Sequence, residues 1–244
     1  MKIGMKDKLI EIFCNFDVGQ RIRKSYVFSV IKQLNPDGKK ILDAGSGVGD
    51  YIFSLAVRYQ KSQFIGIELE PEKIRQCELI ENRKNIRNIE FIHANLENFF
   101  RPNEFDIIYS VDVLEHIAND DKVLINFYES LKLGGILLLH VPNINQERYF
   151  RKFKNWKQND HIRNGYGKNE IIDKLTKLGF KEIKTEFTFS WAGSLAWEIQ
   201  KIFELWFSYR IGQIISFPIV VCLTFVDRHL TKTSGNGILL MTRK

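Results

Sequence analysis

Apolar and polar positions sort the chain into a run of short elements. Through residues 7–34, Leu9, Ile12, Phe13 and Phe16, then Val27, Val30, Ile31 and Leu34, fall at helical spacing. Asn35-Pro36-Asp37-Gly38 stops them with turn chemistry. Beyond that turn the period alternates. Strands are predicted at Lys40–Ala44, Gln63–Leu69, Ile89–His93, Phe105–Ser110 and Ile136–Val141, and helices at Asp50–Tyr59, Pro71–Asn85 and Asp120–Leu131. Proline opens the second of these helices. Gly134-Gly135 is expected to end the third, and Pro142 to stop the strand after it. A helix at Lys168–Leu178, closed by Gly179, and strands at Lys181–Phe189 and Gly237–Thr242 complete the series.

Strands alternating with helices imply a parallel sheet covered on both faces. The stretch ILLLHV is apolar throughout, as a strand buried on both faces should be. The predicted class is therefore α/β, a doubly wound Rossmann-like sheet. No internal repeat or low-complexity segment interrupts it.

The interval between the last two strands departs from this rhythm. It is far too long for a hairpin. It begins as an amphipathic helix, with Leu195, Ile199, Ile202, Phe203, Trp206 and Tyr209 on one side and Glu198, Lys201, Glu204 and Ser208 on the other. Ile211–Val226 then carries no charge, though it contains Gln213, Ser216 and Pro218. Sixteen uncharged residues with a proline are short for a membrane span. Three readings stay open: a second small helical core, a cap that lies in the membrane interface or accommodates a lipidic acceptor, and a true span. The expected organisation is a helical cap at 1–38, a core at 39–190 and 236–244, and an apolar helical insertion at 191–235. An insertion after a parallel sixth strand is expected to roof the active site.

Length and composition bound these readings. The 244 residues suit one large α/β domain with modest additions. Hydrophobic residues at 44% and charged residues at 27% exclude global disorder. Cys14, Cys77 and Cys222 are spaced irregularly and provide neither a disulfide framework nor a CxxC metal pair, so a reducing, cytoplasmic setting is the default. Charges interrupt every apolar run of the N-terminus, and no signal peptide is expected there. The net charge is +7, and its distribution matters more than its sum. Between Arg148 and Lys168 seven Lys/Arg face one acid, Asp160. That stretch is either a solvated loop or a patch for an anionic partner such as a phosphate-bearing substrate or an acidic membrane face.

The most informative chemistry follows the first strand. In Asp43-Ala44-Gly45-Ser46-Gly47-Val48-Gly49, three alternating glycines bare the backbone where strand gives way to helix. Such backbone admits a ligand closely, and the free N–H groups beyond it favour a polar or anionic group. Alone, the loop is equally a tight turn. Glu68, at the end of Phe64-Ile65-Gly66-Ile67-Glu68, adds a carboxylate at the tip of the second strand, able to accept both hydroxyls of a ribose. The spacing is G-x-G-x-G, which is not the dinucleotide pattern G-x-G-x-x-G.

From about Lys39 to Asn143 the chain resembles the class I S-adenosylmethionine-dependent methyltransferases. ILDAGSGVG, IGIELEP, IEFIHANLENF, FDIIYSVDVLEHI and LKLGGILLLHVPN are similar to that family's successive motifs, in order and at ordinary separations. The resemblance implies a seven-stranded sheet of order 3-2-1-4-5-7-6 with the last strand antiparallel, and S-adenosyl-L-methionine as cofactor. It implies that Gly45, Gly47 and Gly49 line the methionine part of the cofactor and that Asp43 orients its amino group. Glu68 would bind the ribose, Leu69 and Leu96 would sandwich the adenine, Asn95 would bond its amine, and Val111 is a further cofactor-binding candidate. Many relatives carry Asp at the Asn95 place; Asn still accepts through its carbonyl oxygen.

The reaction implied is transfer of a methyl group from a sulfonium to a nucleophile, which needs alignment and, for a hydroxyl acceptor, a base. His161 and His116 are the candidate bases, each equally readable as structural, with Asp112 as a group that touches cofactor or substrate. His140, inside an apolar strand, reads as a core residue. No His/Asp/Glu spacing demands a metal. Nucleic-acid acceptors are disfavoured: no [ND]PP[YFW] tetrad follows the fourth strand, and no cysteine sits in a Pro-Cys pair. The expectation is O-methylation of a lipid, quinone precursor or envelope sugar, by a cytoplasmic protein at or near an anionic membrane surface. A soluble metabolite or natural product as acceptor, and a non-catalytic cofactor-binding subunit, are the alternatives. The oligomeric state is not legible.

Overall fold

The computed structural model describes residues 16–156 and 161–244. The expected helical positions before Phe16, and Asp160 of the basic stretch, lie outside the described residues. Two compact units divide the chain. One gathers residues 1–28, 145–157 and 187–237, and the other residues 29–144, 158–186 and 238–244. Among the described residues, 16–28 and 145–156 thus fall in one unit with the 191–235 insertion.

The second unit is built on a sheet of order β3-β2-β1-β4-β5-β7-β6. Its strands are β1 (Lys40–Ala44), β2 (Gln63–Glu68), β3 (Ile89–His93), β4 (Phe105–Val111), β5 (Leu131–Pro142), β6 (Lys181–Thr188) and β7 (Gly237–Arg243). β1 pairs in parallel with β2 and β4, β2 with β3, and β4 with β5. The sheet is mixed. Gly134 N donates to Lys244 O at 3.2 Å and Lys244 N to Gly135 O at 3.0 Å, the reciprocal pattern of an antiparallel seventh strand beside β5. The central strands are apolar because helices cover both faces. Ile41, Leu42, Ile107, Ile108, Leu137 and Leu138 are buried in this way.

Helix α1 (Val18–Gln33) covers only the later part of the 7–34 stretch, since Phe16 precedes it outside the helix, whereas α2 (Ile52–Arg58), α3 (Pro71–Lys84), α4 (Asp120–Ser130) and α5 (Lys168–Lys177) follow the predicted series within a residue or two at their ends. α3 stops where Asn85 turns left-handed, at φ +51°, a conformation asparagine tolerates. One expectation is corrected. Gly134-Gly135 does not end α4. That helix runs directly into β5 at Leu131, and the glycines sit inside the strand. The register slips there between the pairs Phe105–Leu131 and Ile107–Ile136. A Cβ on Gly135 would lie 2.8 Å from the Lys132 carbonyl, so the irregularity requires glycine.

The first unit holds a helical hairpin, α6 (Trp191–Trp206) and α7 (Tyr209–His229). On the polar side of α6, Glu198 is fully buried and the Glu204 side chain nearly so. The Glu198 carboxylate accepts the Tyr149 and Phe150 amides at 2.9 and 2.6 Å. Glu204 accepts from Lys201 at 2.7 Å and from Gln213 of α7 at 3.1 Å. Buried carboxylates are tolerated when they satisfy donors in this way. Gln200 likewise accepts the Val18 amide at 2.8 Å and donates to the Phe16 carbonyl at 2.5 Å.

Candidate functional site

The ends of β1, β2 and β4 create the site. After β1 the chain turns through Gly45, Gly47 and Gly49, all with positive φ (+86°, +56° and +81°). A side chain at Gly45 would strike Val113, just past β4, and one at Gly49 would strike Phe53 of α2. Gly47 is different: a Cβ there would meet nothing within 4 Å. The loop therefore packs tightly at both ends and opens at its middle.

Glu68 closes this loop against β2. One carboxylate oxygen accepts the Gly47 amide at 2.9 Å, and the other accepts the Leu69 and Glu70 amides, each at 2.9 Å. Backbone donors thus fix the carboxylate at the strand tip, with a lone pair of the oxygen bound to Gly47 left for a ligand hydroxyl. Asp43, at the end of β1, is buried. Its Oδ2 makes no hydrogen bond in the protein. Burial pushes this carboxyl up to about 7; the neighbouring Tyr109 hydroxyl opposes the shift, and the charges of Glu68 and Asp50 add to it. The Ser46 hydroxyl in the same loop is also buried without a partner. Buried polar atoms without partners are costly and mark places where a ligand completes the bonding. An ammonium group is the natural complement of Asp43, and a ribose diol that of Glu68. The residues present therefore fit an amino-acid nucleoside such as S-adenosylmethionine.

The adenine positions are on the following loop. Leu96 is buried, whereas Leu69 is 60% exposed. Asn95 Oδ1 accepts the Glu97 amide at 2.9 Å, which leaves one lone pair for an incoming donor. Val111 ends β4. Asp112, next to it, takes φ +50°, a strained setting for a non-glycine residue and one typical of functional positions. Its Oδ1 lies 2.5 Å from His140 Nδ1 on β5. His140 is buried, so the strand histidine braces Asp112 from behind.

The structure brings together two histidines far apart in sequence. His116, in the 3-10 turn Leu114–His116, meets His161 edge to face, with ring centroids 4.6 Å apart and planes at 87°. The Glu115 carbonyl holds the second chain in place by accepting the Ile162 and Arg163 amides at 3.0 and 3.3 Å. Ligand atoms of Glu115, His116 and His161 all lie within 4.8 Å of one another. No motif spacing showed this grouping, because it joins residues 45 positions apart.

Sequence reasoning also missed Asp120. It accepts from the buried Tyr166 hydroxyl at 2.8 Å, from Arg163 at 3.0 Å and from Lys174 at 3.1–3.2 Å. Tyr166 further bridges Asn143 in parallel. These bonds tie the loop that carries His161 to β5 and α4.

Residues 35–190 match the family described as methyltransferase domain, well over half of the chain. The chain belongs to this family. Among curated relatives it is 27% identical over 143 residues to the mitochondrial ubiquinone biosynthesis O-methyltransferase of Schizosaccharomyces pombe, covering 54% of this chain and 52% of that protein. It is 29% identical over 152 residues to phosphoethanolamine N-methyltransferase 2 of Caenorhabditis elegans, covering 61% and 34%. The chain spans about half or less of the length of the curated relatives it matches. Among solved structures, phosphoethanolamine N-methyltransferase 2 of Haemonchus contortus in complex with S-adenosyl-L-methionine has a TM-score of 0.67 at 20% identity, covering 89% of this chain and 51% of that one. A methyltransferase from Thermotoga maritima, described as a possible histamine N-methyltransferase, has a TM-score of 0.60 at 18% identity and covers 97% and 95%. At these identities the solved structures establish the fold.

Proposed function

We propose that this methyltransferase-family chain uses S-adenosyl-L-methionine to methylate a hydroxyl of a lipid, quinone precursor or envelope sugar, as a cytoplasmic protein working at or near a membrane surface. The observation that carries the reading is the crevice at the β1 tip: an open glycine, a carboxylate fixed by three amides, and a buried Asp43 oxygen without a partner.

When bound, the cofactor supplies a methyl carbon already activated by positive sulfur. The chain's own task is positioning. Asp43 Oδ2 would hold the amino group, Glu68 the ribose, and Leu96 with Asn95 the adenine. Gly45 and Gly49 keep the loop against Val113 and Phe53 so that Gly47 stays bare. Asp112, braced by His140, stands at the end of β4, where acceptors meet cofactor in open α/β sheets. A hydroxyl acceptor would have to give up its proton on taking the methyl group. A ring nitrogen of His161 or His116 takes that proton in this reading. The pairing of these rings favours a hydroxyl acceptor over an amine that is already nucleophilic.

The test is an assay with methyl-labelled cofactor against fractionated lipid, polysaccharide, RNA and soluble-metabolite pools. Label in the lipid or polysaccharide fraction supports the proposal. Label only in the soluble pool moves the acceptor to a metabolite. Tight cofactor binding with no label in any pool makes the chain a non-catalytic subunit.

A further inference from the structure

Helix α7 is amphipathic in the inverted sense. The residues it buries include Gln213, Ser216 and Asp227, and, besides Tyr209, Arg210 and His229 at its ends, the residues it exposes are Ile211, Ile214, Ile215, Pro218, Ile219, Cys222, Phe225 and Val226. These follow one another at steps of three and four, a single stripe along the whole helix. The buried polar face is well satisfied within its unit. Asp227 accepts the Ser190 amide at 2.6 Å and the Tyr26 hydroxyl at 3.0 Å, and Gln213 donates to Glu204. The polar side is thus held inward by specific bonds, and the apolar side faces out. At the α6–α7 turn Trp206 is 72% exposed, with Phe207 and Tyr209 beside it, also exposed. An apolar face of this extent marks a docking surface.

We infer that this stripe lies in the acyl region of an anionic bilayer, with α7 parallel to the membrane plane. The inference deepens the membrane-surface part of the function proposed above and rests on that reading for its purpose. Charge selects the occupant. Among the described residues of this unit, eleven Lys/Arg face five Asp/Glu, and two of those acids, Glu198 and Asp227, are fully buried. α7 presents no acid to solvent, while Arg151, Lys152, Lys154 and Arg210 are exposed. Cations around an apolar stripe complement anionic headgroups, and exposed Trp and Tyr suit the interface between headgroup and chain. A second copy of the chain would set like charges against like. α7 is the helix among the described residues long and apolar enough to cross a membrane. Its uncharged stretch nevertheless reaches only about 24 Å, short of the ~30 Å hydrocarbon core. Its partner helix α6 carries Glu198, Lys201 and Glu204, costly at that depth. An in-plane helix avoids both problems.

The test uses the full chain and vesicles of phosphatidylethanolamine with phosphatidylglycerol, or of phosphatidylcholine alone. Wild type should float with the anionic vesicles at least tenfold better than with the neutral ones. The exposed-site variant Ile215→Glu/Ile219→Glu should lose at least tenfold of that binding while its circular dichroism and cofactor affinity stay unchanged. An environment-sensitive dye on Cys222, in a Cys14→Ser background, should shift blue on the vesicles and be quenched by lipids brominated in the upper acyl chain. Cys77 will not compete for the dye, since burial pushes its thiol up to about 12. Unchanged flotation of the double variant, or a dye that stays aqueous on bound protein, overturns the inference. So does a blue-shifted dye without lipid in a sedimenting dimer, which would make the stripe a contact between copies. Methylation of a detergent-dispersed lipid or sugar by a chain that binds no vesicle would sink the inference and leave the function standing. Vesicle binding with no acceptor methylated would do the reverse.

Discussion

The Gly47 amide donates to the Glu68 carboxylate across 2.9 Å, joining the open middle of the glycine loop to the tip of β2. The same carboxylate fixes the Leu69 and Glu70 amides. Glu68→Ala removes the acceptor of three backbone donors and of the ribose together. Hydrogen bonds to a charged group contribute about 1.5–3 kcal/mol each, so affinity for S-adenosylhomocysteine should fall by at least about tenfold in calorimetry. An unchanged affinity would remove Glu68 from the site.

The glycines should separate stability from binding. Gly45→Ala forces a Cβ into the stiff side chain of Val113 at φ +86°, and the melting temperature should drop by several degrees. Gly47→Ala meets no protein atom. It should cost only the ~1–2 kcal/mol of its left-handed backbone, without the added clash at Gly45, yet weaken cofactor binding by filling the crevice. Equal effects of the two substitutions on melting and on binding would refute this division.

Asp43 gives the site a pH signature. Its carboxyl titrates near 7 in the folded chain, against an ordinary value of 3.8. A folded pKa raised in this way contributes stability that is full below about 4 and is lost as pH rises through 7. The melting temperature of the free protein, relative to Asp43→Asn, should therefore fall between pH 4 and 7.5. Pairing with the amino group of the cofactor needs the carboxylate. Affinity should rise on the order of tenfold from pH 5.5 to 7, with proton release visible in buffers of different ionisation enthalpy. A flat affinity in wild type across that range would show that Asp43 does not meet the amino group.

The histidine pair separates chemistry from binding. His161→Ala should lower kcat by roughly 10²-fold or more, the usual size of a lost general base, while cofactor affinity changes little. His116→Ala should follow if the two rings act as one unit, and the double variant should then be no worse than either single one. Full turnover in the His161 variant would end the proposal of a base at this position.

Much of the sheet was legible because its signals are local. Apolar strands, a proline at the start of α3 and glycines after β1 each act within a few residues, and they fixed the element order. The candidate cofactor residues were singled out by the order of motifs that resemble the family's, each a local stretch of sequence. What stayed hidden was long-range. His116 and His161 meet only because β5 and the loop after it fold back along the Leu114–His116 turn. Asp120 reads as an ordinary helix start, yet it anchors Tyr166, Arg163 and Lys174. The helical hairpin misled most. Periodicity identified an amphipathic α6 but could not show that its acidic residues turn inward. Glu198 turns inward because the Tyr149 and Phe150 amides, some fifty residues away, need an acceptor.

The most direct measurement is diffraction from crystals grown with S-adenosylhomocysteine. The expected map shows the nucleoside beside Gly47, both ribose hydroxyls within hydrogen-bond distance of the Glu68 carboxylate, and the amino group on Asp43 Oδ2. A crevice without density at saturating ligand, or a ligand bound elsewhere on the chain, would contradict the assignment of this loop as the methyl-donor site.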